Sequence, residues 1–185
     1  MVKINTCVFI SGNGTNLKRI ISKSIDYNFP INVKLVVSNT IKAKGLNFAK
    51  KMQIPFFIFN NKNILSEQKI LLELKKKNIS LILLAGYMKI LSKKFVRSYG
   101  KKILNIHPSL LPRHKGLNTY QKVLDNKDIK TGCTVHLVND KLDSGKIILK
   151  KAFFINSNDD IKSLKDKTQK LEYKAYSEAI IKYLI

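Results

Sequence analysis

The chain has 185 residues, 44% of them apolar, and carries a net charge of +23 from 35 Lys and Arg against 12 Asp and Glu. That is enough chain to bury a core in one domain, its apolar content is ordinary for a globular fold, and no apolar run reaches the ~20 residues of a membrane span. Two cysteines, Cys7 and Cys133, are too few for a disulfide framework, and the thin scatter of His, Cys and carboxylates assembles no zinc spacing, so no metal is expected.

Taken in order, Asn5 to Ile10 is an apolar strand that runs into Ser11-Gly12-Asn13-Gly14-Thr15-Asn16 and then the helical spacing Leu17, Ile20, Ile21, Ile25. Val33 to Val37 reads as a second strand, Ala43 to Met52 as a helix and Pro55 to Phe59 as a third strand. Leu65 to Lys77 is amphipathic, with Leu71, Leu72 and Leu74 set against the charges. Leu81 to Ala85 is a continuous buried-type strand ended by Gly86; Ser92 to Tyr99 is a short helix and Ile103 to His107 another strand. Thr119 to Leu124 is helical, and Thr131 to Val138 alternates like a strand with one wet face. Ile147 to Phe154 pairs with it as a hairpin around Asp143-Ser144-Gly145, and Asn158 or Asp159 caps a last helix. Alternating strands and helices imply right-handed crossovers. The predicted fold is α/β: one doubly wound, mostly parallel sheet in a single domain over residues 1–185, with an antiparallel C-terminal hairpin and a final helix. Met1-Val2-Lys3-Ile4 leads into the first strand without signal-peptide architecture, so the expected compartment is the cytoplasm.

The charge is a poor guide to partners. Arg occurs only at 19, 97 and 113, and the longest Lys run is Lys75-Lys76-Lys77, whereas nucleic-acid readers lean on Arg forks and interleaved aromatics. Lys, Asn and Ile all have A/T-rich codons, so the charge reads as base composition, with a secondary benefit in attracting anionic substrates. Small-molecule substrates are expected, with no specific nucleic acid, no membrane, and a monomer or weak homodimer.

Three segments carry chemistry. In Asn105-Ile106-His107-Pro108-Ser109-Leu110-Leu111-Pro112, residues two apart in a strand share a face, so Asn105 and His107 converge on one spot, and Pro108 ends the strand there. Polar side chains at the end of a buried strand are where open α/β sheets place their sites. Asp143, within Asn139-Asp140-Lys141-Leu142-Asp143-Ser144-Gly145, reads equally as a hairpin-turn residue or as the carboxylate that raises and orients an imidazole. The turn Gly12-Asn13-Gly14-Thr15-Asn16 offers backbone N–H groups and a helix N-terminus to an anion, although it is neither GxGxxG nor a P-loop.

In this order the segments resemble the glycinamide ribonucleotide formyltransferases of purine synthesis. The resemblance covers nearly the whole chain: Phe9 to Leu17, Leu84 to Ser92, Asn105 to Pro112, Thr134-Val135-His136-Leu137-Val138, and Leu142-Asp143-Ser144-Gly145. It implies formyl transfer from 10-formyltetrahydrofolate to the amine of glycinamide ribonucleotide. Asn105, His107 and Asp143 would be catalytic, with His107 held cationic by Asp143. The ribonucleotide would bind at Gly12, Asn13, Gly14, Thr15, Asn16 and Glu172, and the folate at Met88, Lys89, Ile90, Leu91, Asn139, Asp140, Lys141 and Leu142. The sequence departs from the family pattern at Lys115, usually Pro, at Asn118, often His, and at Ser144, the first Gly of a common Asp-Gly-Gly; a longer C-terminal tail of many relatives is also missing. Two rivals share the Asn-x-His-Pro chemistry. Methionyl-tRNA formyltransferases carry an added C-terminal RNA-binding domain, and formyltetrahydrofolate hydrolases an added N-terminal regulatory domain. A non-catalytic basic RNA-binding module leaves the Asn105 and His107 pairing unexplained.

Overall fold

A run without a single charge, Ile4–Ile10, forms β1, and its last five residues are buried. The computed structural model describes residues 2–60 and 63–185, in two compact units that divide between Leu104 and Asn105. In the first unit β1 pairs in parallel with β2 (Ile31–Ser38) on one side and β4 (Leu81–Leu84) on the other, and β3 (Phe56–Ile58) pairs with β2. The order is therefore β3-β2-β1-β4. Helices α1 (Thr15–Ile25), α2 (Gly45–Lys51), α3 (Ile64–Lys76) and α4 (Lys93–Tyr99) alternate with the strands. Parallel strands covered on both faces lose their wet side, which is why β4 is buried at every residue. The core centres on Phe9, whose ring meets Phe59, Tyr87 and Phe95 at centroid distances of 6.1, 5.3 and 6.2 Å. A fully buried Phe contributes roughly 1.5–3 kcal/mol by leaving water.

The boundary falls within β5 (Lys102–His107), whose last residues open the second unit. That unit continues with α5 (Thr119–Asp125), β6 (Lys130–Leu137), β7 (Ile147–Phe154) and α6 (Ile161–Leu184), with strand order β5-β6-β7. β6 and β7 form the expected antiparallel hairpin, and α6 lies against both. Among the described residues no helix is long and apolar enough to cross a membrane.

Four local expectations are corrected. β6 has no wet face: Thr131 through His136 are all buried, because the strand lies between β5 and β7 under α6. Its polar residues bond internally instead, as Thr134 Oγ does in donating to the Ser109 carbonyl at 2.7 Å and accepting from Leu111 N at 3.1 Å. On α3 the buried stripe is Glu67, Ile70 and Leu74, whereas Leu72 is exposed; Glu67 enters the core by accepting from the Ser92 hydroxyl that caps α4. Ile25, in the last turn of α1, is exposed. The final helix is capped by Asp160, reciprocally bonded with Ser163, rather than by Asn158 or Asp159.

Candidate active site

The end of β5 points Asn105 and His107 at a single carboxylate in the second unit. Asp143, in a left-handed turn conformation with φ 45°, has its side chain only 8% exposed, unlike an ordinary solvated turn residue. Its Oδ2 accepts from Gly116 N at 2.8 Å and lies 3.4 Å from His107 Nδ1. Its Oδ1 lies 3.5 Å from both Asn105 Nδ2 and His136 Nε2. The structure thus brings Asn105, His107 and Asp143 together, and adds His136 to them.

Carbonyl partners fix the imidazole tautomers, since a carbonyl can only accept. His107 Nε2 is 2.8 Å from the His114 carbonyl, so it carries the hydrogen and leaves Nδ1 facing Asp143. His136 Nδ1 donates to the Leu137 carbonyl at 2.8 Å, and its Nε2 lies 3.2 Å from Asn105 Nδ2. Burial pushes the His107 pKa below the ordinary histidine value and outweighs the opposing pull of the His114 carbonyl and the Asp143 charge. This corrects the expectation of a resting cation: the site is too dry for it. Asp143 shifts the other way for a carboxylate in a dry place. Burial raises its pKa, yet the bonds from His136 and Gly116 and the neighbouring charge of His107 bring it below the usual value, so the group is an anion at neutral pH.

In the first unit, the turn 12–16 enters α1 through Gly14, whose φ of 69° is left-handed. A Cβ there would lie 2.6 Å from the Gly45 Cα, so this glycine is required by close packing against the start of α2, independently of any ligand. A Cβ on Gly12 would meet nothing within 4 Å. Ser11 joins this turn to the segment after β4: its hydroxyl accepts from Met88 N at 2.7 Å and donates to Asn39 Oδ1 at 2.5 Å. Met88, Lys89 and Ile90 are exposed there, but Leu91 is buried in the core and can offer a ligand little side-chain surface. In the second unit Asn139, Asp140, Lys141 and Ser144 line an open concavity of about 540 Å³. Ser144 fits its turn by donating to Asn139 Oδ1 and the Lys141 carbonyl, both at 3.0 Å, and Asn118 takes a left-handed φ of 58° as it enters α5. Glu172, half-buried on α6, is felt by Cys133, whose thiol is pushed up to about 12 first by burial and then by that charge.

Sequence reasoning left out His136, His114 and Asp128. The first was legible: it lies two residues after Thr134 on the same strand face. The other two meet only through the folding of residues 113–128 around α5, which no spacing announces.

The formyl transferase family model matches residues 4–180, and the chain belongs to that family. It is 43% identical over 173 residues to the phosphoribosylglycinamide formyltransferase of Haemophilus influenzae, which covers 91% of this chain and 82% of that protein. The Bacillus subtilis phosphoribosylglycinamide formyltransferase is 35% identical over 182 residues, 96% of this chain and 93% of that protein. The crystal structure of phosphoribosylglycinamide formyltransferase from Bacillus halodurans superposes with a TM-score of 0.92 at 32% identity, over 97% of this chain and 95% of that one. Within the family the chain falls among the phosphoribosylglycinamide formyltransferases, folate-dependent enzymes of purine biosynthesis.

Proposed function

We propose that this chain transfers the formyl group of 10-formyltetrahydrofolate to the amine of glycinamide ribonucleotide, with Asn105, His107 and Asp143 as its catalytic residues. The observation that carries the reading is the approach of Asn105 Nδ2 and His107 Nδ1 to the two oxygens of Asp143, 3.5 and 3.4 Å away. Both contacts are long for hydrogen bonds, so a reacting group can take the Asn105 donor or the His107 Nδ1 lone pair at small cost. The amine attacks the formyl carbon, and the C=O electrons move onto oxygen. The Asn105 N–H facing Asp143 turns to that oxyanion, a contribution of about 3–4 kcal/mol for one well-aimed donor. His107 enters neutral, because burial lowers its pKa, and its free Nδ1 takes the proton leaving the amine. The resulting imidazolium sits between oxyanion and carboxylate, and its proton then passes to the departing folate nitrogen as the C–N bond breaks. Tetrahydrofolate and formylglycinamide ribonucleotide result.

The ribonucleotide phosphate is assigned to Gly12, Asn13, Gly14, Thr15 and Asn16 at the α1 N-terminus, where the dipole favours an anion, and Glu172 to the same substrate. The folate is assigned to Met88, Lys89, Ile90, Leu91 and to Asn139, Asp140, Lys141 and Leu142. Exposed Met88, Ile90 and Leu142 suit a flat heterocycle, with Leu91 contributing through its backbone. The two units work as one formyltransferase domain, a reading supported by the family match running through both. The enzyme acts in the cytoplasm as a monomer or weak homodimer, on small molecules, without a specific nucleic acid or a membrane. Formyl transfer assayed side by side to glycinamide ribonucleotide, methionyl-tRNA and water tests the acceptor. Transfer to the ribonucleotide alone is expected, and a preference for either alternative overturns the assignment.

Gly12→Val is expected to leave the melting temperature near wild type, because its Cβ enters open space. Ribonucleotide affinity should fall while folate affinity holds, since a branched side chain bars the phosphate from the turn. Calorimetric titration with each ligand reads the two separately. Gly14→Ala should instead destabilise the fold, through its positive φ and its overlap with Gly45.

A further inference from the structure

His107 and Asp143 are both held from behind by one short stretch of backbone. His107 Nε2 donates to the His114 carbonyl and Gly116 N donates to Asp143 Oδ2, each at 2.8 Å, so two residues of main chain set the imidazole against the carboxylate. Neighbouring groups brace the same stretch. Ser109 Oγ donates to the carbonyls of Arg113 and His114 at 2.8 and 3.3 Å, and Lys122 Nζ to that of Lys115 at 3.0 Å. His114 takes a left-handed φ of 54°, uncommon for a side chain of this size and persistent only where surroundings impose it. Its own imidazole supplies the restraint. Nε2 lies 2.6 Å from Asp128 Oδ2, with the two side chains 7% and 4% exposed, and Asp128 Oδ1 accepts from Arg113 Nη2 at 2.5 Å. Asp128 N in turn donates to the Val123 carbonyl of α5 at 3.1 Å, which anchors the carboxylate to a helix.

We propose that the Asp128–His114 pair is a positioning latch for formyl transfer, fixing the 114–116 backbone so that His107 and Asp143 meet the reacting atoms in register. The inference rests on the catalytic roles given above to those two residues; neither latch residue is among those assigned to a substrate. An exposed pair would contribute little, but this one is buried and its carboxylate serves two donors, so removing one partner leaves the other without its match. The carbonyl that the latch steadies also acts on the catalytic imidazole: it raises the His107 pKa together with Asp143, against burial and the charges of His136 and Lys122.

His114→Phe keeps ring volume and removes Nε2, and Asp128→Asn keeps shape and removes the charge. Each is expected to lower kcat roughly 10- to 100-fold, the scale of a small misplacement, with KM for the ribonucleotide little changed. The His107 titration, followed by NMR, should move further down as its hydrogen bond to the carbonyl loosens. A pair that only stabilised the fold would lower the melting temperature and leave kcat and that titration in place. Wild-type kcat with an unmoved His107 titration in a folded variant overturns the latch. Asp128→Asn, the isosteric change, decides if His114→Phe does not fold. An inactive His107→Ala beside a fully active Asp128→Asn removes the latch and leaves the catalytic reading standing; an active His107→Ala removes both.

Discussion

His107→Ala is expected to reduce formyl-transfer turnover by on the order of 100-fold or more, with substrate affinities largely kept. The imidazole turns one ring nitrogen to Asp143 while its other nitrogen is locked to a carbonyl at 2.8 Å. It can therefore exchange a proton through one edge alone, and alanine removes that edge. The His114 carbonyl still accepts from Ser109 Oγ, so the loop keeps one of its ties and the fold should survive, which circular dichroism and a thermal melt would verify. The pH dependence carries a sign of its own. Burial lowers the folded-state pKa, so a resting neutral ring is the working form, and the rate should fall as pH drops through that value. A rate that instead falls as pH rises through it would mean that the ring must enter as a cation. Turnover near wild type in a folded His107→Ala protein would end the mechanism.

Much of this arrangement was legible in the sequence because strand periodicity is rigid. Two positions apart on β5 means one face, and the Pro after His107 marks where the strand stops, so the Asn105 and His107 convergence needed no structure. The parallel core was equally legible, since strands buried on both faces are written as unbroken apolar runs such as Leu81–Leu84. β6 misled for a physical reason. Alternation of polar and apolar residues usually signals water on one side, but Thr134 and His136 point at internal backbone and amide partners instead. The net His107 shift was illegible because burial is set by the whole second unit, while the sequence displays only the neighbouring carboxylate. Gly14 reverses the usual inference: the glycine in a turn that suits an anion is already demanded by Gly45 of α2, a contact between segments that no local motif encodes.

Asp143→Asn separates the turn residue from the catalytic carboxylate. Asn adopts left-handed φ as readily as Asp, so the backbone at 45° is undisturbed. Its amide oxygen can keep the Gly116 N–H, the shortest bond the carboxylate accepts. What disappears is the charge beside His107. That charge raises the imidazole pKa, so its removal lowers the folded-state value further and makes the proton harder to accept during attack. Turnover should fall by orders of magnitude, and the NMR titration of His107 should move down. Stability supplies an independent check. The Asp143 pKa is lowered on folding, by the His136 and Gly116 bonds and the His107 charge against the opposing cost of burial, so its stabilisation is present above the unfolded value of 3.8 and lost as pH falls through the folded one. The wild type should therefore lose stability in that acid window, and Asp143→Asn, which has nothing to protonate there, should lose less. An active Asp143→Asn protein with an unmoved His107 titration would return Asp143 to a turn residue and leave His107 without its partner.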